Sequence, residues 1–349
     1  MKTYLVTGGA GFIGSNFIIF MLKKYSNIRI INVDKLTYAG NLENLIEVEN
    51  NPSYKFIKGD ICDKELISKI FKENNIDYVV NFAAESHVDR SIREPEVFIK
   101  TNVLGTVNLL NIAKNSWEIK GEFKSGRKFL QISTDEVYGS LGEIEYFTEN
   151  TPINPHSPYS ASKASADLIV KAYYDTFKMP VNITRCSNNY GPYQHPEKLI
   201  PLIINNCLNK EELPIYGDGL NVRDWLYVDD HCRAIDMVIT KGRLGQVYNI
   251  GGHNERTNIY IVRTILNYLN ENIDDSITEE LIKYVKDRKG HDRRYAIDPT
   301  KISDELGWKP EIEFEEGIKK TVEWYLDNKE WIKHVTSDEY RDYYRNMYK

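Results

Sequence analysis

Two hydrophobic rhythms alternate along the chain. Short continuous apolar runs rich in β-branched residues recur at 3–7, 28–33, 55–58, 78–82, 128–133, 181–186 and 247–250. Longer stretches with helical spacing lie between them, at 12–25, 64–73, 97–114 and 159–177. Runs such as Tyr78-Val79-Val80-Asn81-Phe82 show no in–out alternation, so they predict strands covered on both faces. Strands separated by helices predict right-handed crossovers and a doubly wound parallel α/β sheet. From Asn188 onward Pro, Gly and Tyr become frequent and the alternation weakens. The expected division is therefore a first lobe over 1–187, with 223–251 returning to it, and a smaller C-terminal lobe over 188–222 and 252–349. The tail 336–349, rich in Tyr, Asp and Arg, fits a packed helix and a frayed end equally well.

Composition narrows the class. A chain of 349 residues with 41% hydrophobic and 28% charged residues can bury a large core and form two lobes. A net charge of −6 offers no basic face for nucleic acid. No apolar run approaches the roughly 20 residues of a membrane span. The opening Met1-Lys2-Thr3-Tyr4-Leu5-Val6-Thr7 reads as a buried strand and not as a signal peptide. Cys62, Cys186, Cys207 and Cys232 form no C-x-x-C pair and the histidines no H-x-x-x-H pair. Free thiols in a reducing cytoplasm are expected, with no metal site. The sequon Asn182-Ile183-Thr184 falls in a predicted buried strand and is read as chance.

Gly8-Gly9-Ala10-Gly11-Phe12-Ile13-Gly14 follows the first strand and opens a helix. Glycines there allow a tight turn and a close approach to a pyrophosphate, and the helix N-terminus offers N–H groups and a positive dipole end. Asp34 ends the second strand, 20 residues beyond Gly14. A carboxylate there accepts hydrogen bonds from ribose hydroxyls and repels a 2′-phosphate, so NAD is preferred to NADP. The basic neighbour Lys35 pulls the other way, and Asp34 could instead cap a turn. Asp60, after the third strand, can meet the adenine or cap the helix before Lys64. The loop, strand and acid together predict a Rossmann-type dinucleotide site.

Tyr159-Ser160-Ala161-Ser162-Lys163 places a phenol and an amine on one helix face. The lysine can bind a nicotinamide ribose and stabilise the phenolate, as a catalytic tyrosine of ordinary pKa near 10 requires. The alternative is a surface Tyr–Lys contact.

Together with Asn81-Phe82-Ala83-Ala84 and Ser133-Thr134, these motifs resemble the extended short-chain dehydrogenase/reductases. More narrowly, the chain resembles the dTDP-glucose 4,6-dehydratases in 34–42, 83–92, 133–139, 185–192 and 217–225, and the likeness runs to about Trp324. The resemblance implies conversion of dTDP-glucose to dTDP-4-keto-6-deoxyglucose and water with recycled NAD, commonly feeding rhamnose and other deoxysugar synthesis. It implies a catalytic set of Thr134, Asp135, Glu136, Tyr159 and Lys163. Tyr159 takes the O4 proton, Thr134 binds O4, Asp135 protonates the leaving C6 hydroxyl and Glu136 removes the C5 proton. One carboxyl must stay protonated while its neighbour is ionised. Adjacent residues of a strand face opposite ways, so the chain must turn just after Ser133. From spacing alone the pair could equally close a strand at the surface.

The resemblance further implies cofactor contacts around the glycine loop (Gly8, Gly11, Phe12, Ile13, Gly14) and after the second and third strands (Asp34, Lys35, Leu36, Thr37, Asp60, Ile61). Phe82, Ala83, Ala84, Ser86, Thr101 and Asn189 complete that set. For the substrate it implies Ser86, Thr134, Asn188, Lys198 and Leu199, a thymine pocket at Pro214-Ile215-Tyr216, and Asn258, His291 and Tyr295. Arg223 and Arg293-Arg294 are candidates for the diphosphate, since the guanidinium fork suits phosphate oxygens; Arg293-Arg294 could also be a solvated face. The resemblance implies a homodimer built from 97–114 and 159–177. Rival readings are a nucleotide-sugar epimerase or decarboxylase, a GDP-mannose dehydratase, and a non-catalytic NAD sensor. The first two need no acid for a departing C6 hydroxyl, which makes Asp135 the discriminating residue.

Overall fold

The computed structural model describes residues 1–287 and 290–336, so all of the 336–349 tail except Thr336 lies outside the described residues. The seven apolar runs become the seven strands of one parallel sheet: β1 (Lys2–Thr7), β2 (Ile28–Asp34), β3 (Tyr54–Lys58), β4 (Tyr78–Asn81), β5 (Lys128–Thr134), β6 (Val181–Cys186) and β7 (Val247–Ile250). Their order is β7-β6-β5-β4-β1-β2-β3. The chain winds outward from β1 to β3, then crosses back to place β4 against the other side of β1. That reversal opens a crevice at the carboxyl ends of the strands, where α/β sheets bind ligands. Thr7 Oγ1 and Asn81 Oδ1 hydrogen bond at 2.6 Å across the reversal.

Alternation along each strand feeds two cores. Tyr4 and Val6 face helices Phe12–Lys24 and Val228–Lys241, while Leu5 faces helices Lys64–Glu73, Thr106–Trp117 and Pro158–Phe177. A third core, around Tyr190, Trp225, Tyr227, Leu266 and Phe314, belongs to a smaller lobe. There Leu213–Tyr216 pairs with Ile282–Val285, and Val222–Tyr227 lies between Asn188–Tyr190 and Glu255–Thr257. Of residues 223–251, helix Val228–Lys241 and β7 join the large sheet, whereas 223–227 stay in the three-stranded sheet.

One expected element differs. The helical stretch 97–114 is not a uniform α-helix: Pro95–Phe98 is followed by a π-helical segment, Ile99–Gly105, before the α-helix Thr106–Trp117. The wider turn presents Asn102, whose side chain accepts from Glu85 N–H at 2.8 Å and donates to Glu85 C=O at 3.0 Å and Ser162 Oγ at 2.8 Å. π-Turns of this kind commonly serve to aim a side chain, and hydrophobic spacing does not reveal them.

Candidate active site

A cleft of about 320 Å³ occupies the crevice. Gly8, Gly11 and Gly14 form its wall after β1. Gly8 has φ +69°, and a Cβ on it would stand 2.6 Å from Ala83 N; one on Gly14 would stand 2.4 Å from Gly8 O. Both neighbours are backbone, so only glycine fits. Helix Phe12–Lys24 has Gly11 as its N-cap and no side-chain cap, which leaves its first-turn N–H groups available to an anion.

Asp34 closes the next wall. Its Oδ2 accepts from Ala10 N–H at 2.9 Å and its Oδ1 from Leu36 N–H at 2.8 Å. Leu36 therefore orders the turn, at φ +56°, and is not part of the cleft lining, whereas Lys35 and Thr37 are. Lys35 Nζ pairs with Asp60 at 2.9 Å, and that amine together with the Cys62 N–H holds the Asp60 carboxyl below its ordinary value. The cap of the helix beginning at Lys64 is Asp63, not Asp60. Ile61, Phe82, Ala83, Ala84, Ser86, Thr101 and Asn189 line the same cleft. So does Gln194, whose Oε1 is buried and has no hydrogen-bond partner among the described residues. The glycine cradle, the uncapped helix start, Asp34 and this orphan acceptor suit a dinucleotide.

At the other end of the cleft β5 stops at Thr134 and a 3₁₀ turn, Asp135–Tyr138, begins, with Thr134 Oγ1 accepting from Glu136 N–H at 3.3 Å. The turn lets both carboxylates approach one region. Glu136 lines the cleft; Asp135 lies behind the lining at 1% exposure, its Oδ1 accepting from Thr134 Oγ1 at 3.3 Å and its Oδ2 without a hydrogen-bond partner among the described residues. Helix Pro158–Phe177, fixed by a Ser157–Ser160 capping box and Pro158, carries Tyr159 and Lys163 into the same space. Lys163 Nζ donates to Ile132 C=O at 2.7 Å.

A family model described as GDP-mannose 4,6 dehydratase matches residues 5–321. A dTDP-glucose 4,6-dehydratase of Xanthomonas campestris pv. campestris is 53% identical over 345 residues, covering 98% of each chain. The solved structure of a dTDP-glucose 4,6-dehydratase from Bacillus anthracis in complex with NAD is 52% identical, with a TM-score of 0.87 over 96% of this chain and 100% of that one. The chain belongs to the dTDP-glucose 4,6-dehydratase family. Another family structure, from Streptomyces venezuelae with NAD and TYD bound, is 45% identical with a TM-score of 0.89, covering 96% of this chain and 100% of that one.

In this dehydratase-family site burial is the largest influence on the titrating groups. It raises the Asp135 carboxyl well above the usual range, with the charges of Glu136 and Asp224 adding to the effect. Burial likewise raises the Tyr159 phenol, reinforced by Glu136 and opposed by the Thr134 hydroxyl. Burial lowers Lys163, against the pull of Asp167.

The residues expected around the sugar nucleotide fall into two groups. Ser86, Thr134, Asn188 and Lys198 line the cleft, and Lys198 Nζ donates to Ser86 C=O at 3.1 Å. The remainder lie in the smaller lobe, outside the cleft lining. Leu199 opens a helix, Pro214 and Ile215 sit in the strand that pairs with Ile282–Val285, and Asn258 opens helix Asn258–Asn272. Tyr216 meets the His291 ring at 6.1 Å, and Arg223 lies 4.2 Å over the Tyr295 ring. Arg293 pairs with Asp218 at 2.8 Å on an exposed surface. Arg294, by contrast, is buried on Glu255 and the Glu145 carbonyl, so this guanidinium is a structural tie. Asp292 accepts from Tyr295 Oη at 2.6 Å through its carboxylate and from Arg223 at 2.9 Å through its carbonyl.

Sequence reasoning missed several groups. Cys186, Ser187, Gln194, His195 and Glu197 also line the cleft. Asp224 binds the Gly252 and Asn254 N–H groups, and Arg185 Nε donates to the buried Asp167 at 2.9 Å behind Lys163. The signals in the sequence were, for Arg185, Cys186, Ser187 and Asp224, their places inside 185–192 and 217–225 and, for Asp167, a position one helical turn after Lys163; Gln194, His195 and Glu197 lie in neither stretch. Among the described residues no group of three or more His, Cys, Asp or Glu side chains could hold a metal, and no helix is long and apolar enough to cross a membrane.

Proposed function

We propose that the protein converts dTDP-D-glucose to dTDP-4-keto-6-deoxy-D-glucose and water, with NAD recycled within each turnover. One observation carries the reading: a fully buried Asp135, whose carboxyl burial raises well above the usual range, adjoins a cleft-facing Glu136 directly after Thr134, in the same space as Tyr159 and Lys163. An epimerase needs the last two residues and Thr134, but not the carboxylate pair.

NAD accepts the hydride from C4 and returns it to C6; the remaining steps are proton transfers by this chain. Tyr159 accepts the O4 proton, assisted by the Lys163 charge and the Thr134 hydroxyl, and C4 becomes a ketone. That ketone acidifies C5–H. Glu136 takes this proton, and Asp135 gives its own to the departing C6 hydroxyl, which leaves as water. Glu136 then returns a proton to C5. In the free protein the phenol is raised, so a cationic cofactor ring beside it favours the phenolate.

In this reading residues 1–187 and 228–251 hold the cofactor, and the smaller lobe, including 223–227, holds the nucleotide sugar. Arg223, Arg293 and Asn188 serve the diphosphate, and Pro214–Tyr216 the thymine. The cofactor residues are those of the cleft, with Asp34 selecting NAD. The family relatives' substrate and the bound NAD and TYD of the solved structures support the assignment. We place the enzyme in the cytoplasm, as a homodimer, with a product suited to rhamnose or other deoxysugar synthesis. Incubation with dTDP-glucose, followed by mass and NMR analysis, should yield a sugar 18 Da lighter with a C6 methyl group. A C4 epimer of unchanged mass would overturn the reading.

A further inference from the structure

The smaller lobe also reaches the cofactor side of the cleft. Helices Phe314–Asp327 and Lys329–Val335 carry Trp324, Tyr325 and Trp331, which pack with Tyr193 at ring distances of 4.8–6.2 Å. The Trp331 indole N–H leaves this cluster and donates to Asn44 Oδ1 at 2.8 Å. Asn44, 2% exposed in the 3₁₀ helix Leu42–Val48, donates through Nδ2 to Ala10 C=O at 2.9 Å. Asn41 N–H binds the same carbonyl at 3.0 Å, and Ala10 N–H is held by Asp34. Both hydrogen-bonding groups of the peptide unit at Ala10, inside the glycine loop, are thus fixed. Tyr325 Oη, from the same cluster, donates to Gln194 C=O, and Gln194 Nε2 donates to Asn189 C=O at 2.9 Å; Gln194 and Asn189 line the cleft.

The amide of Asn44 has no freedom to flip. An indole N–H only donates and a carbonyl only accepts, so the oxygen must face Trp331 and the nitrogen Ala10. Aspartate could not donate to Ala10, and leucine would serve neither. All three groups are buried, so a missing partner costs a desolvated polar atom and not merely one bond.

We propose that Trp331 is a positioning residue for the dinucleotide: through Asn44 it locks the glycine loop in its binding shape and slows cofactor release. A cycle that reuses its hydride gains nothing from releasing the cofactor, so a retaining contact fits that chemistry. The inference rests on the NAD reading above, but its mechanical part does not.

Two measurements on the full chain separate them. In cofactor-stripped protein, Trp331→Phe keeps the ring packing and removes the N–H; amide exchange of the peptide spanning 8–16 should quicken while the core strand β5 stays protected. In loaded protein, NAD should leave roughly three- to tenfold faster, the range set by one neutral hydrogen bond, and saturating NAD should restore turnover. Asn44→Leu approaches the contact from the other side and leaves the aromatic cluster intact. Its effect should be at least as large, and the double variant should match Asn44→Leu alone, because both act through one relay. Wild-type exchange of 8–16 in both variants, or additive effects on NAD release, would overturn the proposal. Wild-type protein that binds no NAD, with loop exchange still quickened by the variants, would overturn the cofactor reading alone.

Discussion

Asp135 and Glu136 are neighbours in the chain with opposite access to the cleft: Asp135 is closed off behind Thr134 and Glu136 lines the surface. The 3₁₀ turn that starts at Asp135 brings the two toward one region at different depths, since in a continuing strand they would face opposite sides of the sheet. In the proposed mechanism acid and base are thereby distinguished by environment, not by residue type.

Removing the acid should divide the reaction in two. Asp135→Asn keeps the shape and lacks the proton for the leaving hydroxyl. It should form enzyme-bound NADH from dTDP-glucose yet release keto-sugar about 10²–10⁴-fold more slowly. Glu136→Gln should slow exchange of C5–H with solvent, and Tyr159→Phe should slow NADH formation itself. Single-turnover absorbance of NADH separates the three. If Asp135→Asn is as slow as Tyr159→Phe in forming NADH while still binding substrate, Asp135 belongs to the oxidation step.

The same substitution should raise stability. The folded-state pKa of Asp135 lies above its unfolded value, so the wild-type protein is favoured below about pH 4, near the ordinary carboxyl value. It loses that advantage as pH rises toward the folded pKa. Asparagine does not titrate. The melting temperature of Asp135→Asn should therefore exceed that of wild type at pH 7, and the gap should close on approaching pH 4. A constant gap across this range would show that Asp135 is not buried as a neutral acid.

His231 should act with the opposite sign. Burial pushes it down to about 3, while its Nδ1 bonds Asn189 Oδ1 at 2.8 Å. The neutral ring contributes fully above the unfolded value of about 6.5. That contribution falls away as pH drops toward 3. His231→Gln should lose part of the acid sensitivity between these limits, read from urea midpoints at successive pH values. An unchanged slope would assign the acid sensitivity to other groups.

Val97, Ile99, Leu104 and Leu168 stand 42–57% exposed on the segments expected to pair two copies of the chain. Leu104→Glu with Leu168→Glu should convert a dimer of 40.6 kDa chains to monomer in sedimentation at micromolar concentration. A wild-type chain already sedimenting as a monomer would refute the expected assembly.

The large sheet was legible because burial on both faces leaves apolar runs at its central strands, and the glycine loop because steric demand at Gly8 and Gly14 admits no other residue. Asn102 was hidden because a π-turn changes backbone hydrogen bonding without changing the hydrophobic spacing of 97–114. Leu36, expected as a contact, has a role that spacing does not show: its N–H donates to Asp34 and orients that carboxylate. Arg294 shows another problem: a guanidinium beside a candidate phosphate ligand looks the same in sequence whether it faces a ligand or, as here, the partly buried Glu255. Long-range pairings such as Arg185 with Asp167 depend on how β6 and a helix meet, which no local pattern encodes.

Asn44 and Trp331 are separated by 287 positions in the chain. A polypeptide emerging from the ribosome completes β1, the glycine loop and Asp34 long before the residue that braces them has been synthesised. β7, which covers the edge of the sheet at β6, also arrives late. The nascent chain therefore carries an open sheet edge and an unbraced loop through most of its synthesis, and the contact at Trp331 is among the last to form.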